Sequence, residues 1–326
     1  MTRMPRLDSG PGLPRIAAAA TLAGVLLAAP KIPALGADAG AAAQPGCAAP
    51  PSTRIRLDHV PVAVRDLDAA TRSYRALGFS FKPGRPHANS ILNQHVKFVD
   101  GTEVELITAT KPRDELARDY VSFIRDGDGG AFLSLSGGGV RPISAAIRRA
   151  EPGHRIVPGS YAEFLGFPTG HGLRYLFFVH LRVRPVDLPE HLNHANTAVR
   201  FAGVWLLRAD PAREERLLAR LGARACRSTL RLPVGAVDRE VRLANGSVYL
   251  VRDPGAPPRR AVAGVTLEVR DLAAARGAIS LPDSALRSGR DARGDFLRVP
   301  PAHAHGIWLE LLRPAITPSI SRQRGE

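Results

Sequence analysis

The chain has 326 residues, 44% of them hydrophobic, which is enough for about two domains with buried cores at ~150 residues per domain. A wholly disordered chain is therefore excluded. The formal net charge is +15, and all but four of the 45 basic residues are arginines. These arginines are scattered, and aromatic residues make up only 6% of the chain, so the sequence predicts no nucleic-acid partner.

The first 39 residues are typical of a secretory signal peptide. Arg3, Arg6 and Arg15 precede an apolar run over residues 16–29, which is long enough for the core of a signal peptide and too short to span a bilayer. Small residues around position 38 offer a cleavage site. We therefore expect a secreted or periplasmic protein with no stable membrane span after processing.

The segments that flank the fold have simple compositions. Residues 40–54 are rich in Ala and Pro and predict a flexible tether, and residues 315–326 predict a disordered tail. Cys47 and Cys226 are the only cysteines, so a disulfide between them is open, but a disulfide framework is excluded.

From residue 57 the chain predicts a β-α-β-β-β unit. Residues 57–64 alternate as a strand, and Asp66 can cap a helix over residues 67–77 that Gly78 ends. Shorter strands follow, and the last of them, over residues 103–108, comes after an Asp-Gly turn.

The same order of elements returns three times, and each return begins with a strand followed by a helix. The strand–helix pairs are predicted over residues 131–136 and 140–150, 203–207 and 211–221, and 264–269 and 271–279. Closing strands are expected over residues 173–183, in a hairpin over 237–251, and over 307–312. The sequence thus predicts an α+β protein with two pairs of modules, over residues 55–198 and 199–314.

The opening motifs resemble the glyoxalase-like domains of the vicinal oxygen chelate superfamily. The resemblance rests on Leu57-Asp58-His59-Val60, on the segment that begins at Val64-Arg65-Asp66, and on Val104-Glu105-Leu106. It implies tandem β-α-β-β-β modules that form curved mixed sheets shaped as cups. A divalent metal ion is then expected in a cup, with its ligands on the first and last strands of each module.

The resemblance assigns positions to metal ligands in both cups. In the first cup it implies the ligands His59, Glu105 and His180, with a fourth position vacated by Gly130. Two imidazoles and one carboxylate with open positions suit a catalytic Fe, Mn, Zn or Ni ion. In the second cup Gly203, Gly264 and Tyr249 offer no good ligand, and Glu310 alone remains, so this degenerate cup is expected to be structural.

Strand alternation supports part of this assignment, because His59, Glu103 and Glu105 all fall on the face opposite the apolar residues of their strands. Glu103 or His95 is the expected proton-transfer residue, and His87 is a further candidate for a base or ligand. His191 and His194 precede the third module and are expected to be structural.

Two classes of function remain open. The first is a metal-dependent lyase, isomerase or dioxygenase that acts on a small oxygenated molecule. The alternative is a metal-independent protein that binds or sequesters a small molecule, with Phe132, Phe178 and Trp205 lining its pocket. In both cases the internal pairing of modules would replace homodimerisation.

Overall fold

The computed structural model describes residues 53–85, 87–183 and 186–315. The predicted signal peptide, most of the tether, Cys47 and nearly all of the predicted tail lie outside these residues. No helix among the described residues is long and apolar enough to cross a membrane.

The first module follows the predicted order of elements closely. The side chain of Asp66 caps the first helix by accepting a hydrogen bond from the Ala69 N–H (2.8 Å), and Gly78 ends it with φ 84°. The elements are β1 (Arg56–Ala63), α1 (Leu67–Ala76), β2 (Lys82–Pro83), β3 (Ile91–Lys97) and β4 (Glu103–Ala109).

The second module contains a helix that the sequence patterns did not predict. This helix, α2, is amphipathic, and Asp114 caps it by accepting a hydrogen bond from the Ala117 N–H (2.8 Å). The elements are α2 (Glu115–Arg125), β5 (Gly129–Gly130), β6 (Leu133–Ser136), α3 (Val140–Ile147), β7 (Arg155–Pro158), β8 (Ala162–Gly166), β9 (Leu176–Leu181) and the short α4 (Pro189–Leu192).

The third and fourth modules repeat the plan and add strands that the sequence reading left out. The third contains β10 (Ala198–Arg208), α5 (Ala212–Arg220), β11 (Arg224–Arg227), β12 (Arg231–Leu232), β13 (Gly235–Arg242) and β14 (Ser247–Arg252). The fourth contains β15 (Val262–Val269), α6 (Leu272–Ala278), β16 (Arg287–Asp291), β17 (Gly294–Val299) and β18 (Trp308–Pro314), with two short 3₁₀ helices between these elements.

Each module pair forms one curved mixed sheet around two antiparallel central strands. In the first pair the strand order is β2-β3-β4-β1-β6-β9-β8-β7. In the second pair it is β11-β13-β14-β10-β15-β18-β17-β16. The α+β class and the curved sheets are therefore as expected.

The two sheets share one apolar core. Val60 and Val104 of the first sheet lie in the same cluster of buried side chains as Val204 and Val265 of the second. Gly130 joins the sheets, since it pairs with Val62 on one side and with Val262 on the other. A Cβ atom at position 130 would lie 2.7 Å from the Val262 side chain, so this close approach requires glycine.

The Asn245-Gly246 turn between β13 and β14 packs against strand β1. A Cβ atom at Gly246 would lie 2.4 Å from the Ala202 carbonyl oxygen and 2.7 Å from Leu57 Cδ1. The turn therefore meets the first module pair without room for a side chain.

We expect Gly246→Ala to lower the free energy of unfolding by about 1–3 kcal/mol, because the added methyl group overpacks this contact. Gly277→Ala is the matched control, since Gly277 lies in α6 with nothing within 4 Å of the added Cβ atom. In the helix the change should stabilise by about 0.5–1 kcal/mol. Urea unfolding measures both values, and a Gly246→Ala variant as stable as the wild type would contradict the close packing.

Candidate functional site

The concave face of the first sheet, here called the first cup, collects ionisable side chains from three adjacent strands. Across β1 and β4, His59 pairs with Glu103, and across β3 and β4, His95 pairs with Glu105 and Lys97 with Glu103. Paired residues on neighbouring strands point to the same face. The strand register gives the expected placement of His59, Glu103 and Glu105 on one face, and it places His95 and Lys97 on the same face.

His59 lies between two carboxylates. Its Nδ1 is 2.6 Å from Asp58 Oδ1, and its Nε2 is 3.7 Å from Glu105 Oε2. Asn93 Nδ2 donates a hydrogen bond to the other Glu105 oxygen, Oε1, at 2.6 Å. A shift in the register between β1 and β6 at Asp58 allows these consecutive residues to meet, although neighbours on a regular strand point to opposite faces. We call Asp58, His59, Asn93 and Glu105 the His59 cluster.

The charges around His59 favour a cation. Burial disfavours the charged imidazole, but the hydrogen bond to Asp58 and the carboxylates of Asp58, Glu103 and Glu105 outweigh it and raise the pKa of His59 to about 9. The same surroundings would stabilise a metal cation beside a neutral His59.

Glu103 is held by basic partners on β3. Lys97 Nζ lies 2.8 Å from Glu103 Oε2, and His95 Nδ1 lies 3.4 Å from the same oxygen. Burial opposes ionisation of Glu103, but His95, Lys97 and His59 outweigh it and hold the pKa of Glu103 well below its ordinary value. A carboxylate with such a low pKa is a poor general base, so the expected catalytic role of Glu103 does not suit its surroundings.

His95 is the better placed of the two predicted proton-transfer residues. Burial acts to lower its pKa, but the hydrogen bond and charge of Glu103, together with Glu105, raise the pKa of His95 above its ordinary value. A raised pKa makes the ring hold its proton more firmly than an ordinary histidine does, which suits a residue that acts as a proton donor.

The first cup also holds buried polar atoms that make no hydrogen bond within the described part of the chain. These atoms are His87 Nε2, Asn93 Oδ1 and Ser134 Oγ. Ser134 is wholly buried and pairs with His59 across β1 and β6. Orphaned buried polar atoms are rare in folded proteins, and several in one cup indicate a place for a ligand or ion.

The structure places His180 away from this cluster, which corrects the expected triad. Ser134, the partner of His59, pairs in turn with Phe177 on β9, so Phe177 occupies the position opposite His59. The rings of His59 and Phe177 are in edge contact, with centroids 5.5 Å apart. His180 lies three residues farther along β9, about 10 Å away along the strand.

His180 also faces the other side of the sheet. It pairs with Glu163 on β8 and shares its face with Phe178, which is fully buried in the core. The expected ligand role of His180 required its side chain to face the first cup, and the sequence does not show which face that is, because both faces of β9 carry aromatic residues. The fourth ligand position was expected at Gly130. In the structure Ser134, and not Gly130, is the residue that pairs with His59 on the neighbouring strand.

A metal ion fits the first cup only with a smaller set of protein ligands than expected. Among the described residues, no three His, Cys, Asp or Glu side chains come close enough to hold one ion. The His59–Glu105 separation of 3.7 Å is compatible with two bonds of ~2.1 Å to a shared ion, and the Asp58 carboxylate behind His59 fixes its ring as in known metal sites. Unpartnered buried oxygens of Asn93 and Ser134 lie on the neighbouring strands β3 and β6, and imidazole and oxygen donors of this kind have the chemistry to hold a divalent ion.

Aromatic and aliphatic residues form the other side of the first cup. Phe164 pairs with Val157 on one side and Val179 on the other, and its ring lies 6.3 Å from that of Phe177. We call this surface the apolar wall; its exposed members are Val157 (56%), Tyr161 (49%), Phe164 (39%) and Leu181 (44%). Large apolar side chains left open beside a polar cluster are typical of a ligand site.

The pocket expected for the alternative function is not assembled as predicted. Phe178 lies in the main core, and Trp205 is fully buried in the second sheet. Phe132 does contact Phe177, with ring centroids 6.1 Å apart, and packs against Tyr120 of α2. The sequence analysis did not predict the apolar wall, because it did not predict β7 and β8, the strands that carry Val157 and Phe164.

His194 bridges two backbone groups. Its Nδ1 accepts a hydrogen bond from the Ser80 N–H (3.1 Å), and its Nε2 lies 2.8 Å from the Lys97 carbonyl oxygen. His191 Nδ1 accepts a hydrogen bond from the Leu188 N–H (3.3 Å). Both histidines are thus engaged by the backbone, in keeping with the structural role expected for them.

In the second cup, arginine side chains pair with Glu310, the carboxylate at the expected ligand position. Glu310 is fully buried, and it accepts hydrogen bonds from Arg298 Nε (2.7 Å), Arg293 Nη2 (3.0 Å) and Thr266 Oγ1 (2.9 Å). Where glycines replace ligands, aromatic rings fill the space: Cβ atoms at Gly203 and Gly264 would lie 2.6 Å from the Tyr249 ring and 2.5 Å from the Trp205 ring.

The sequence of the chain matches the model of a known family. The model of the family described as glyoxalase-like domain matches residues 57–222. The chain belongs to the glyoxalase-like domain family. The vicinal oxygen chelate resemblance is thereby confirmed, and the protein is an enzyme or binding protein of that type. No curated protein sequence matches the chain.

Solved structures share the fold at low sequence identity. A hypothetical protein from Staphylococcus aureus has a TM-score of 0.54 at 8% identity over 79% of this chain and 99% of its own. A homoprotocatechuate 2,3-dioxygenase variant from B. fuscum, in complex with HPCA, has a TM-score of 0.53 at 14% identity over 83% of this chain and 73% of its own. A fusion of a xylose isomerase-like TIM barrel with 4-hydroxyphenylpyruvate dioxygenase has a TM-score of 0.54 at 12% identity, over 82% of this chain and 50% of its own.

We expect Glu310→Ala to destabilise the protein by about 3–5 kcal/mol, because Arg293 and Arg298 would lose a buried counter-ion. Asp295→Ala is the matched control, since Asp295 also pairs with two arginines, Arg290 and Arg313, but at the surface. Thermal and urea unfolding of both variants measure the difference. Equal losses in the two variants would contradict the structural role of Glu310.

Proposed function

We propose that the protein is an exported, divalent-metal-dependent enzyme that acts on a small oxygenated substrate in the first cup. The observation that carries this proposal is the His59 cluster, in which an imidazole held by Asp58 faces Glu105 beside unpartnered buried oxygens. Export is proposed from the basic and apolar pattern of the first 39 residues.

His59 Nε2 and the Glu105 carboxylate would hold the ion, with Asn93 Oδ1 and Ser134 Oγ as the neighbouring oxygen donors. Oxygen donors beside one imidazole suit Mn²⁺ among the ions expected from the sequence. When bound, the ion would polarise adjacent substrate oxygens as a Lewis acid.

The chain's own residues would orient the substrate and move protons. The apolar wall supports binding of an apolar body, with Phe177 in contact with both the wall and His59. His95, whose pKa Glu103 raises, would donate a proton to a substrate oxygen that gains negative charge. Glu103 would serve as the residue that holds His95 and Lys97 in place.

A binding protein without catalysis is the second candidate, and the openness of the apolar wall favours it. Two tests separate the candidates: loading with metal, and turnover of small molecules with two adjacent oxygens, such as catechol. Turnover that requires the ion supports the enzyme. Tight binding of the same molecules without metal and without turnover would support sequestration.

Calorimetric titration with Mn²⁺ tests the metal proposal directly. His59→Ala and Glu105→Ala should each abolish measurable binding, because each removes one of the two main ligands, the imidazole or the carboxylate. His180→Ala is the matched control and should bind like the wild type, since His180 pairs with Glu163 on the opposite face. Loss of binding in His180→Ala, or binding unchanged in His59→Ala, would exclude the proposed ligands.

The affinity for Mn²⁺ should rise with pH. The pKa of His59 is raised to about 9, so its imidazole is protonated at neutral pH and must lose a proton to bind the ion. The apparent affinity should therefore increase by up to about tenfold per pH unit below 9 and level off above it. Titrations at several pH values in non-coordinating buffers measure this slope; a flat profile from pH 6 to 9 would be inconsistent with His59 as a ligand.

A further inference from the structure

Side chains of the second module pair fill its own cup, yet this pair contacts β1 and β4, two of the three strands that carry the His59 cluster. Asn245, in the turn between β13 and β14, reaches strand β1 at Leu57. Phe201, on β10, reaches the start of strand β4 at Thr102. Each contact lies within two residues of a charged side chain of the first cup.

Asn245 takes the place of a missing strand beside Leu57. Strand β4 begins at Glu103, opposite His59, so the edge of β1 before His59 has no neighbour in that strand. Asn245 Oδ1 accepts a hydrogen bond from the Leu57 N–H (2.8 Å), and Asn245 Nδ2 donates to the Leu57 carbonyl oxygen (3.0 Å). Both bonds are buried, and the Ala244 N–H adds a third to the Ile55 carbonyl oxygen (2.9 Å).

Asp58, the residue directly after Leu57, lies where the register of β1 against β6 shifts. The register between β1 and β6 shifts between Leu57 and His59, which brings the Asp58 carboxylate to His59 Nδ1. Since the backbone of Leu57 is fixed on one edge by β6 and on the other by Asn245, Asp58 is left to absorb the shift. Asp58, whose carboxylate contacts the His59 ring, thus directly follows a residue that a side chain of the other module pair holds.

The second contact fixes strand β4 in the same way. The Phe201 N–H donates a hydrogen bond to Thr102 Oγ1 (3.0 Å), and Thr102 Oγ1 in turn donates to Asp100 Oδ1 (2.6 Å). Thr102 is buried and directly precedes Glu103. Two buried hydrogen-bonded contacts therefore hold β1 and β4 against the second sheet.

We propose that the second module pair is a positioning frame for the first cup, and that Asn245 is the positioning residue that sets the Asp58–His59–Glu105 geometry. The effect of Asn245 on metal binding rests on the proposed function. Its effect on the orientation of His59 in the metal-free protein does not. Mutation of a residue that orients a metal ligand, without binding the metal itself, typically lowers metal affinity by about 10- to 100-fold.

Asn245→Ala and Asn196→Ala form a matched pair. Asn196 is also a buried asparagine with two backbone hydrogen bonds, to the Leu77 carbonyl oxygen (2.8 Å) and from the Ala198 N–H (3.1 Å), but neither contacts β1 or β4. Both variants should lose stability. Only Asn245→Ala should shift the ring ¹⁵N and ¹H resonances of His59 in the metal-free protein and weaken Mn²⁺ binding by about 10- to 100-fold.

Equal effects of the two variants on His59, or an unchanged His59 in Asn245→Ala, would overturn the proposal. If Asn245→Ala does not fold, Asn245→Asp replaces it, since it keeps the acceptor for the Leu57 N–H but not the donor, and the same outcomes apply. If the wild-type protein binds no Mn²⁺, the proposed function fails, and the His59 resonances alone decide whether Asn245 positions the site.

Discussion

The register of strand β1 against its two neighbours is the constraint on which the first cup depends. Pairing with β4 aligns His59 with Glu103 and places Glu105 two residues farther on the same face, while pairing with β6 aligns His59 with Ser134. A slip of one residue would turn His59 into the apolar core and bring Val60 into the cup. The full burial of Val60 and Val62 therefore fixes the chemistry of the opposite face as firmly as any polar contact does.

The two cups show two ways of compensating buried carboxylates in one fold. In the second cup Arg293 and Arg298 supply fixed positive charges to Glu310, and aromatic rings occupy the remaining space. In the first cup Glu103 has fixed partners in Lys97 and His95, whereas Glu105, among the described residues, has Asn93 and a histidine 3.7 Å away. The first cup therefore leaves a carboxylate without a fixed positive partner, whereas the second cup forms a closed network of charges.

Local patterns were sufficient for the module plan and for one edge of the site. The Asp66 cap, the Gly78 stop and the alternation of β1 and β4 are short-range signals, and they place His59 and Glu105 correctly on one face. The position of His180 could not be predicted in the same way, because both faces of β9 carry aromatic residues and its register depends on pairing with β6, far away in sequence. The role of Asn245 depends on a contact 188 residues distant, which no local pattern encodes.

Anomalous diffraction from crystals soaked in Mn²⁺ is the most direct test of whether His59 and Glu105 hold one divalent ion. We expect one strong anomalous peak within about 2.3 Å of both His59 Nε2 and a Glu105 oxygen, with no peak beside Glu310. A peak at His180, or an empty His59 cluster with saturating Mn²⁺, would exclude His59 and Glu105 as the ligands.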